Sequence, residues 1–545
     1  MRVHVSEGVD TDVLVIGGGG AGLRAAVAAA ETGARVHVVS DARVGYGCLT
    51  AVSGGAFAST QASDWQGHFR DTVVGGRFLG DQELQLRLAQ SIDDEATRLA
   101  GYGALYLSPD KAPWLNHVID PGHRAAKMLY GRHAIGTDIT VALRSRAQAL
   151  GIALLEGVMT TELVVEEDQV LGAHVVTREG NLQAIAARAT VLATGGMGQA
   201  YAHTDNTPGA TGDGYCLAYS LGLALRDMEF MQFYPLALGS GTPGIYYEIL
   251  VSGVEGQLLN SNGEDIRRIH GLHDPHSTTR DYLSIAIMKE VAAGRGVDGG
   301  VVLDISSIPD TLLEILRPIL PKAALRGHRK FTVAPTAHTH LGGVMVDATM
   351  STGIAGLYAA GEVIGGVHGA NRLGGNALSE VLVFGSVAGY SAAAHAASVA
   401  VTPMPQDRTD VERKRLETLS GGSSSDYKAI RQELKQTMWK DAGVLRNEES
   451  LERALGAIHR LRKRLRGVGA KDGRGLQQLL KTRNLLRSAE LLCLSALTRT
   501  ESRGAQSRTD YPAEDEDWLR YVVIRKGPEG PSVSTRPVSF PHIRP

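Results

Sequence analysis

Apolar residues gather along this chain in short runs that stop at glycine, and the first stop is the most informative. Asp12-Val-Leu-Val-Ile16 reads as a buried strand and runs straight into Gly17-Gly18-Gly19-Gly20-Ala21-Gly22. Leu23 to Glu31, alanine-rich, has helix-forming composition. Arg35-Val-His-Val-Val39 is a second strand that ends at Ser40 and Asp41. Strand, glycine turn, helix and strand make a βαβ unit. Its glycines let the backbone approach a pyrophosphate, and its helix points N-terminal amides at that charge. Ser40 and Asp41 fall where such a site contacts a ribose.

The same pattern of strand and glycine stop returns at Thr190-Val-Leu-Ala-Thr-Gly-Gly196 and at Gly356-Leu-Tyr-Ala-Ala-Gly-Glu362. Three such turns can meet on one edge of a parallel sheet, where a long ligand lies across the strand ends. A further glycine-rich loop spans residues 45–55. Helical patterning covers roughly 82–101, and short β-rich runs follow at 153–155, 161–165 and 170–176. The predicted organisation is α/β. A Rossmann-type nucleotide-binding domain occupies 1–235 and resumes at 336–402, with a mixed α and β domain inserted at 236–335. Pro403, Pro405, Gly421, Gly422 and a serine run mark a linker at 403–425. A Leu-, Lys- and Arg-rich helical domain follows at 426–505, and a small β appendage at 506–545.

Composition narrows the function classes. At 545 residues the chain exceeds one compact core, and roughly two to four domains are expected. A content of 43% hydrophobic and 21% charged residues describes a globular chain. A net charge of -2 lacks the basic excess that a nucleic-acid or anionic-membrane surface needs. No secretory signal and no apolar run long enough to cross a bilayer is read, so a cytoplasmic protein without direct membrane insertion is expected. Cys48, Cys216 and Cys493 are odd in number and far apart, too few for a four-cysteine iron–sulfur cluster. No metal site is expected, and any electron relay sits on another chain.

Taken in order, the motifs resemble the flavoprotein subunits of fumarate reductases and succinate dehydrogenases, and also L-aspartate oxidases. The carriers are Gly17–Gly22, Ala193-Thr-Gly-Gly196, Thr211-Gly-Asp-Gly214, Asp227-Met-Glu-Phe-Met-Gln-Phe-Tyr-Pro235 and Arg280-Asp281. Pro335-Thr-Ala-His-Thr-His-Leu-Gly-Gly343, Gly356–Glu362 and His368-Gly-Ala-Asn-Arg-Leu-Gly-Gly-Asn-Ala-Leu-Ser-Glu380 continue the series, which closes at Glu501-Ser-Arg-Gly-Ala505. The resemblance implies FAD as cofactor and a capping domain at 236–335. It implies FAD contacts from Gly17, Gly19, Gly20, Gly22, Ser40, Ser53, Gly54, Gly55, Thr194, Gly195, Asp213, Gly361, Glu362, Ser379 and Glu380. His368 is expected near the flavin ring, and His340 is read as structural.

In that family the flavin exchanges a hydride with a carbon next to a carboxylate while an arginine moves a proton on the opposite face. Arg280 holds that position, and His338 with Arg372 matches the pair that grips one carboxylate. Bidentate guanidinium and directed imidazole suit that task. The implied partners are a small carboxylic acid and either an iron–sulfur electron-transfer protein or a soluble electron carrier. Association with a membrane would run through such partner subunits.

Three departures stand out. Cys48 replaces the histidine that carries covalent FAD, so FAD is expected to be held non-covalently; in the family that goes with a lower flavin potential, favouring alkene reduction. Tyr234 replaces a histidine that holds the second carboxylate, and a phenol brings no positive charge at neutral pH. Residues 246–256, with Tyr246, Tyr247 and Glu248, replace a Thr-Glu pair and an Arg-Gly-Glu-Gly turn. One grip survives while the other is rewritten, so the expected substrate is an unsaturated or saturated organic acid other than plain fumarate. The alternatives are an oxidase of the L-aspartate oxidase type and a non-catalytic flavin-binding subunit.

Overall fold

The computed structural model describes residues 2–60, 64–117, 121–124, 127–238, 242–243, 251, 256–274, 278–320, 322, 324–422 and 424–545. Tyr246, Tyr247 and Glu248 lie outside them. The main sheet orders its strands Ala153–Glu156, Val36–Ser40, Val9–Ile16, Asn181–Leu192, Gln169–Val176 and Met159–Glu166. The first four are parallel, and Gln169–Val176 runs antiparallel to both neighbours. Leu357–Ala359 adds in parallel to the end of Asn181–Leu192. Ile16 sits opposite Leu192, and Leu192 opposite Ala359, so three strands end side by side. Near-continuous Val, Leu and Ile runs fit strands covered on both faces.

Helix Gly20–Glu31 leaves the first strand and packs closely on helix Asn376–Ser398. Small residues permit that approach. A Cβ on Gly385 would lie 2.7 Å from the Ala21 carbonyl oxygen, and one on Gly389 only 2.2 Å from that of Ala25. Asn376–Ser398 has the length and hydropathy to cross a bilayer, which corrects the sequence reading that no segment does. Two thirds of its apolar window is buried inside this fold, and its hydrophobicity serves the core.

A second sheet of Thr242–Pro243, Met231–Leu238, Lys330–His340, Val301–Asp304 and Gln257–Leu259 carries the capping region. Met231–Leu238 and Lys330–His340 are continuous strands through 235 and 335, with Tyr234 opposite Thr336. Leu236, Leu258, Ile287, Val301 and Val333 build a separate core there. Helices Tyr427–Asp441, Glu448–Leu465 and Gly473–Thr498 form the helical domain. Asn447 and Ser450 make a capping box, with Glu448 and Glu449 in the first turn and Arg462, Lys463 and Arg464 in the last, each complementing the helix dipole. The tail hairpin Arg520–Gly527 and Gly530–Pro537 joins a small sheet with Leu225–Arg226 and Gly343–Val344.

The expected linker at 403–425 instead carries helix Gln406–Ser420. Pro405 precedes that helix and Gly421 follows it, so the breakers bracket an element rather than fill a loop. Leu416 joins a small core, Thr409 hydrogen-bonds His174 at 3.0 Å, and Arg408 pairs with Glu162 at 2.8 Å.

Gly389→Val is expected to lower stability by about 3 kcal/mol through overpacking. Gly101→Ala, at a position with nothing within 4 Å, is expected to leave stability unchanged or raise it by up to about 1 kcal/mol. Denaturant unfolding of the two variants checks both.

Candidate active site

One long cleft runs across the strand ends, from Gly17, Ser40 and Asp41, past Ser53 and Thr194, to Tyr234, Arg280, His338 and Arg372. Gly17 adopts φ +120, and a Cβ there would lie 2.1 Å from the Ala193 carbonyl oxygen. Only glycine fits. Gly22 lies beneath, where a Cβ would be 1.9 Å from the Gly17 carbonyl oxygen; it serves close helix–strand packing and does not line the cleft. Gly19, Gly20, Ser40, Gly54, Gly55 and Gly195 all line it.

At the outer end, two helical-domain residues reach the cleft rim. Lys481 pairs with Asp41, and Asn484 Nδ2 donates to Asp213 Oδ1 at 2.8 Å. Thr211 Oγ1 donates to the same oxygen at 2.9 Å. Asp213 is enclosed, and burial pushes its carboxyl above the ordinary range. Lys481 and Asn484 were not foreseen, because they stand about 270 or more positions from their partners inside an ordinary helix pattern.

At the inner end, Tyr234, Arg280, His338 and Arg372 come together. His338 and Tyr234 stand on paired strands with ring centroids 5.7 Å apart, and the Arg280 guanidinium lies 5.2 Å from the Tyr234 ring centre. Arg280 opens helix Arg280–Ala292, whose Ser284 hydroxyl donates to the Phe233 carbonyl at 3.1 Å. Asp205 Oδ2 meets His338 Nδ1 at 2.6 Å. Asn206 fixes the same strand by donating to the His338 carbonyl at 2.7 Å. Arg372 Nε donates to Gln232 Oε1 at 3.1 Å and its Nη1 to the Leu373 carbonyl at 3.1 Å, which sets the guanidinium plane. Asp205 and Gln232 are further residues that sequence reasoning missed; Gln232 sat in a quoted motif.

Glu362 and Glu380 line the middle of the cleft. Burial, with Glu380 and Asp205 nearby, pushes the Glu362 carboxyl up to about 7, although it accepts the His340 N–H at 2.9 Å. His368 stands behind Glu380, Nε2 to Oε2 2.9 Å. The Ser379 hydroxyl donates to the Ala58 carbonyl at 2.9 Å, because one step along a helix turns a side chain by about 100° from its neighbour Glu380. Gly361 adopts φ +74 with a Cβ position 2.7 Å from Ala21 Cβ and shapes the turn at that strand end. His340 is structural, buried between the carbonyls of Met228 and Gly342. Asp281 pairs with Arg77 at 3.0 Å.

The cleft fits a dinucleotide-type flavin. Added Cβ atoms at Gly19 and Gly195 would meet only Cys48 at 3.6 Å and Glu362 at 3.9 Å, and one at Gly374 nothing within 4 Å. Those backbones therefore border open room. Thr194 Oγ1 is buried beside it with no partner among the described residues, as expected of a group awaiting a ligand.

Fold and cleft together define an FAD-dependent oxidoreductase. The FAD binding domain family model matches residues 12–378, and the fumarate reductase flavoprotein C-terminal model matches 431–545. The chain is 36% identical over 542 residues to a subunit of the CoM/CoB fumarate reductase of Methanothermobacter marburgensis, covering 96% of this chain and 98% of that one. It is 34% identical to L-aspartate oxidase of Streptomyces coelicolor, covering 96% and 92%. A variant of the E. coli quinol fumarate reductase flavoprotein superposes with a TM-score of 0.89 at 28% identity, covering 99% and 98%. This chain belongs to the fumarate reductase and succinate dehydrogenase family of flavoproteins, and FAD is its cofactor.

Glu362 makes stability pH-dependent. Its carboxyl is raised from 4.5 to about 7 in the folded protein, so the folded state keeps a proton that the unfolded chain loses in that interval. Its stabilising contribution is full below about pH 4.5 and is lost as pH rises through about 7. Glu362→Gln, compared with wild type at matched FAD occupancy, is expected to melt at a similar temperature at pH 5 and several degrees higher at pH 8. Equal differences at both pH values would contradict this.

Proposed function

We propose that this flavoprotein reduces, or in reverse forms, a carbon–carbon double bond beside the carboxylate of an organic acid whose far end is not a second carboxylate. The observation that carries the reading is the place of Tyr234, between the Arg280 guanidinium and the His338 ring. Bound FAD would supply hydride exchange at its N5 with the double-bond carbon one position beyond the carbon that bears the carboxylate. FAD is held by the glycine edge, Ser40, Asp213, Glu362 and Glu380 without a covalent link. Burial pushes the Cys48 thiol up, which keeps it protonated and a poor nucleophile.

His338 and Arg372 grip the carboxylate. Asp205 fixes the His338 ring through Nδ1 at 2.6 Å. The Arg372 guanidinium brings positive charge to the side where negative charge gathers as hydride adds. Arg280 gives the proton to the carbon that bears the carboxylate. Tyr234 stacks under that guanidinium, excludes water from it, and offers the far end of the substrate an aromatic face with at most one hydrogen bond. A dicarboxylate would place its second charge against a neutral phenol in place of a cationic side chain at that position, which weakens its binding.

The relative from Methanothermobacter is, by its name, one part of a larger enzyme. With three cysteines in the chain, electrons reach the cleft through a separate iron–sulfur protein or a soluble carrier.

Arg280→Ala is expected to lose turnover with every acid by about 10²–10⁴-fold while still binding FAD. Tyr234→His is expected to raise kcat/KM for fumarate by about 10–100-fold, the worth of a charged hydrogen bond. Steady-state assays with reduced dye as donor check both. A Tyr234→His enzyme no better with fumarate than wild type would overturn the reading of that corner.

A further inference from the structure

Residues 75–81 cross between the two halves of the inner site and touch both. On one side they press against the turn that carries Arg372. Ala370 N donates to the Gly76 carbonyl at 3.0 Å, Asn371 Nδ2 donates to the Gly75 carbonyl at 3.3 Å, and Asp81 N donates to the Gly366 carbonyl at 2.7 Å. The packing leaves no room for side chains. A Cβ on Gly75 would meet Leu373 Cδ2 at 2.6 Å, and one on Gly76 the His368 carbonyl oxygen at 2.6 Å.

On the other side the same segment holds the helix that begins at Arg280. Arg77 Nη2 donates to Asp281 Oδ2 at 3.0 Å, and its guanidinium lies 4.5 Å from the centre of the Tyr282 ring. Asp281 is buried, and its other oxygen accepts the Thr279 hydroxyl. Arg77 thus binds the two residues that follow Arg280. The backbone bends to allow it: Arg77 and Phe78 both adopt left-handed φ, +55 and +59, although neither is glycine. Two successive non-glycine residues there are strained and persist only where surrounding contacts enforce them. Leu79 supplies one such anchor; it is fully buried, and its carbonyl accepts from Arg226 Nη2 at 2.9 Å.

We propose that Arg77 is a positioning residue: through Asp281 and Tyr282 it latches the capping helix to the strap 75–81, and so sets Arg280 against the Arg372 carboxylate grip. The strap measures one side of the substrate space against the other, since it is fastened to both. The part that concerns proton delivery rests on the reaction proposed above; the latch itself rests only on geometry. A buried ion pair of this kind, once halved, leaves a charge without its partner, and a displacement of about 1 Å at a proton donor is worth about 100-fold in rate.

The test uses the FAD-loaded full-length protein with Arg77→Met, Arg77→Lys and Asp281→Asn. Hydrogen exchange followed by mass spectrometry reads the latch without turnover. Arg77→Met is expected to speed exchange at amides 280–284 by about tenfold or more, with residues 9–40 unchanged, and Arg77→Lys less. With the acid substrate, kcat is expected to fall about 10–100-fold. KM should stay nearly constant, and the solvent deuterium isotope effect on kcat should rise as proton transfer becomes limiting. Asp281→Asn should match Arg77→Met, and the double variant Arg77→Met with Asp281→Asn should be no worse than either. Unchanged exchange at 280–284 in a folded, FAD-loaded Arg77→Met protein overturns the latch. Faster exchange with no change in kcat or isotope effect overturns its role in proton delivery. If wild type turns over no acid, the proposed reaction fails while the exchange data still decide the latch.

Discussion

The inner half of the active site depends on the antiparallel pairing of Met231–Leu238 with Lys330–His340. These strands carry the chain into the capping region and out again, and the residues that matter stand on them or are tied to them. Gln232, on the first strand, fixes the Arg372 guanidinium. The Phe233 carbonyl takes the Ser284 hydroxyl and so holds the Arg280 helix. Tyr234 and His338 project into the same space from opposite strands. Asp205 and Asn206 then clamp the second strand at His338. A slip of one residue in this pairing would reverse which side chains face the cleft.

The outer half is built on a different constraint, the common ending of three parallel strands at Ile16, Leu192 and Ala359. Glycines at 17, 195 and 361 turn the chain with positive φ at that edge, leaving a backbone-lined trough suited to a pyrophosphate and ribityl chain. The cleft is therefore a rigid cradle joined to a corner whose two sides belong to different domains. Chemistry at the junction needs the corner to hold its shape, and Tyr234 presents a neutral phenol there beside the Arg280 guanidinium.

Much of the outer half was legible in the sequence because its signals are local. A strand that ends in glycine, three times over, predicts a sheet edge from periodicity and turn chemistry alone. Arg280, His338, Arg372 and Tyr234 were singled out through their motifs, and the structure brings all four to one cleft. What escaped was contact at long range: Lys481 with Asp41, Asp205 with His338, and Arg77 with Asp281 lie 440, 133 and 204 positions apart. Nothing in local pattern couples such residues. For Ser379, Gly361 and His368 the limit is finer, since a motif names a stretch while helix rotation and packing decide which of its side chains face the cleft. The helix at 406–420 failed because proline and glycine mark boundaries, and two boundaries close together look like a linker.

The central claim is that the Tyr234 corner rejects a second carboxylate. Rapid mixing under anaerobic conditions tests it most directly. The chemically reduced protein is mixed with fumarate or with an unsaturated monocarboxylic acid bearing a neutral or aromatic far end, and flavin absorbance is followed. The account predicts that fumarate leaves the flavin reduced while a monocarboxylic acid reoxidises it. Rapid reoxidation by fumarate would contradict it.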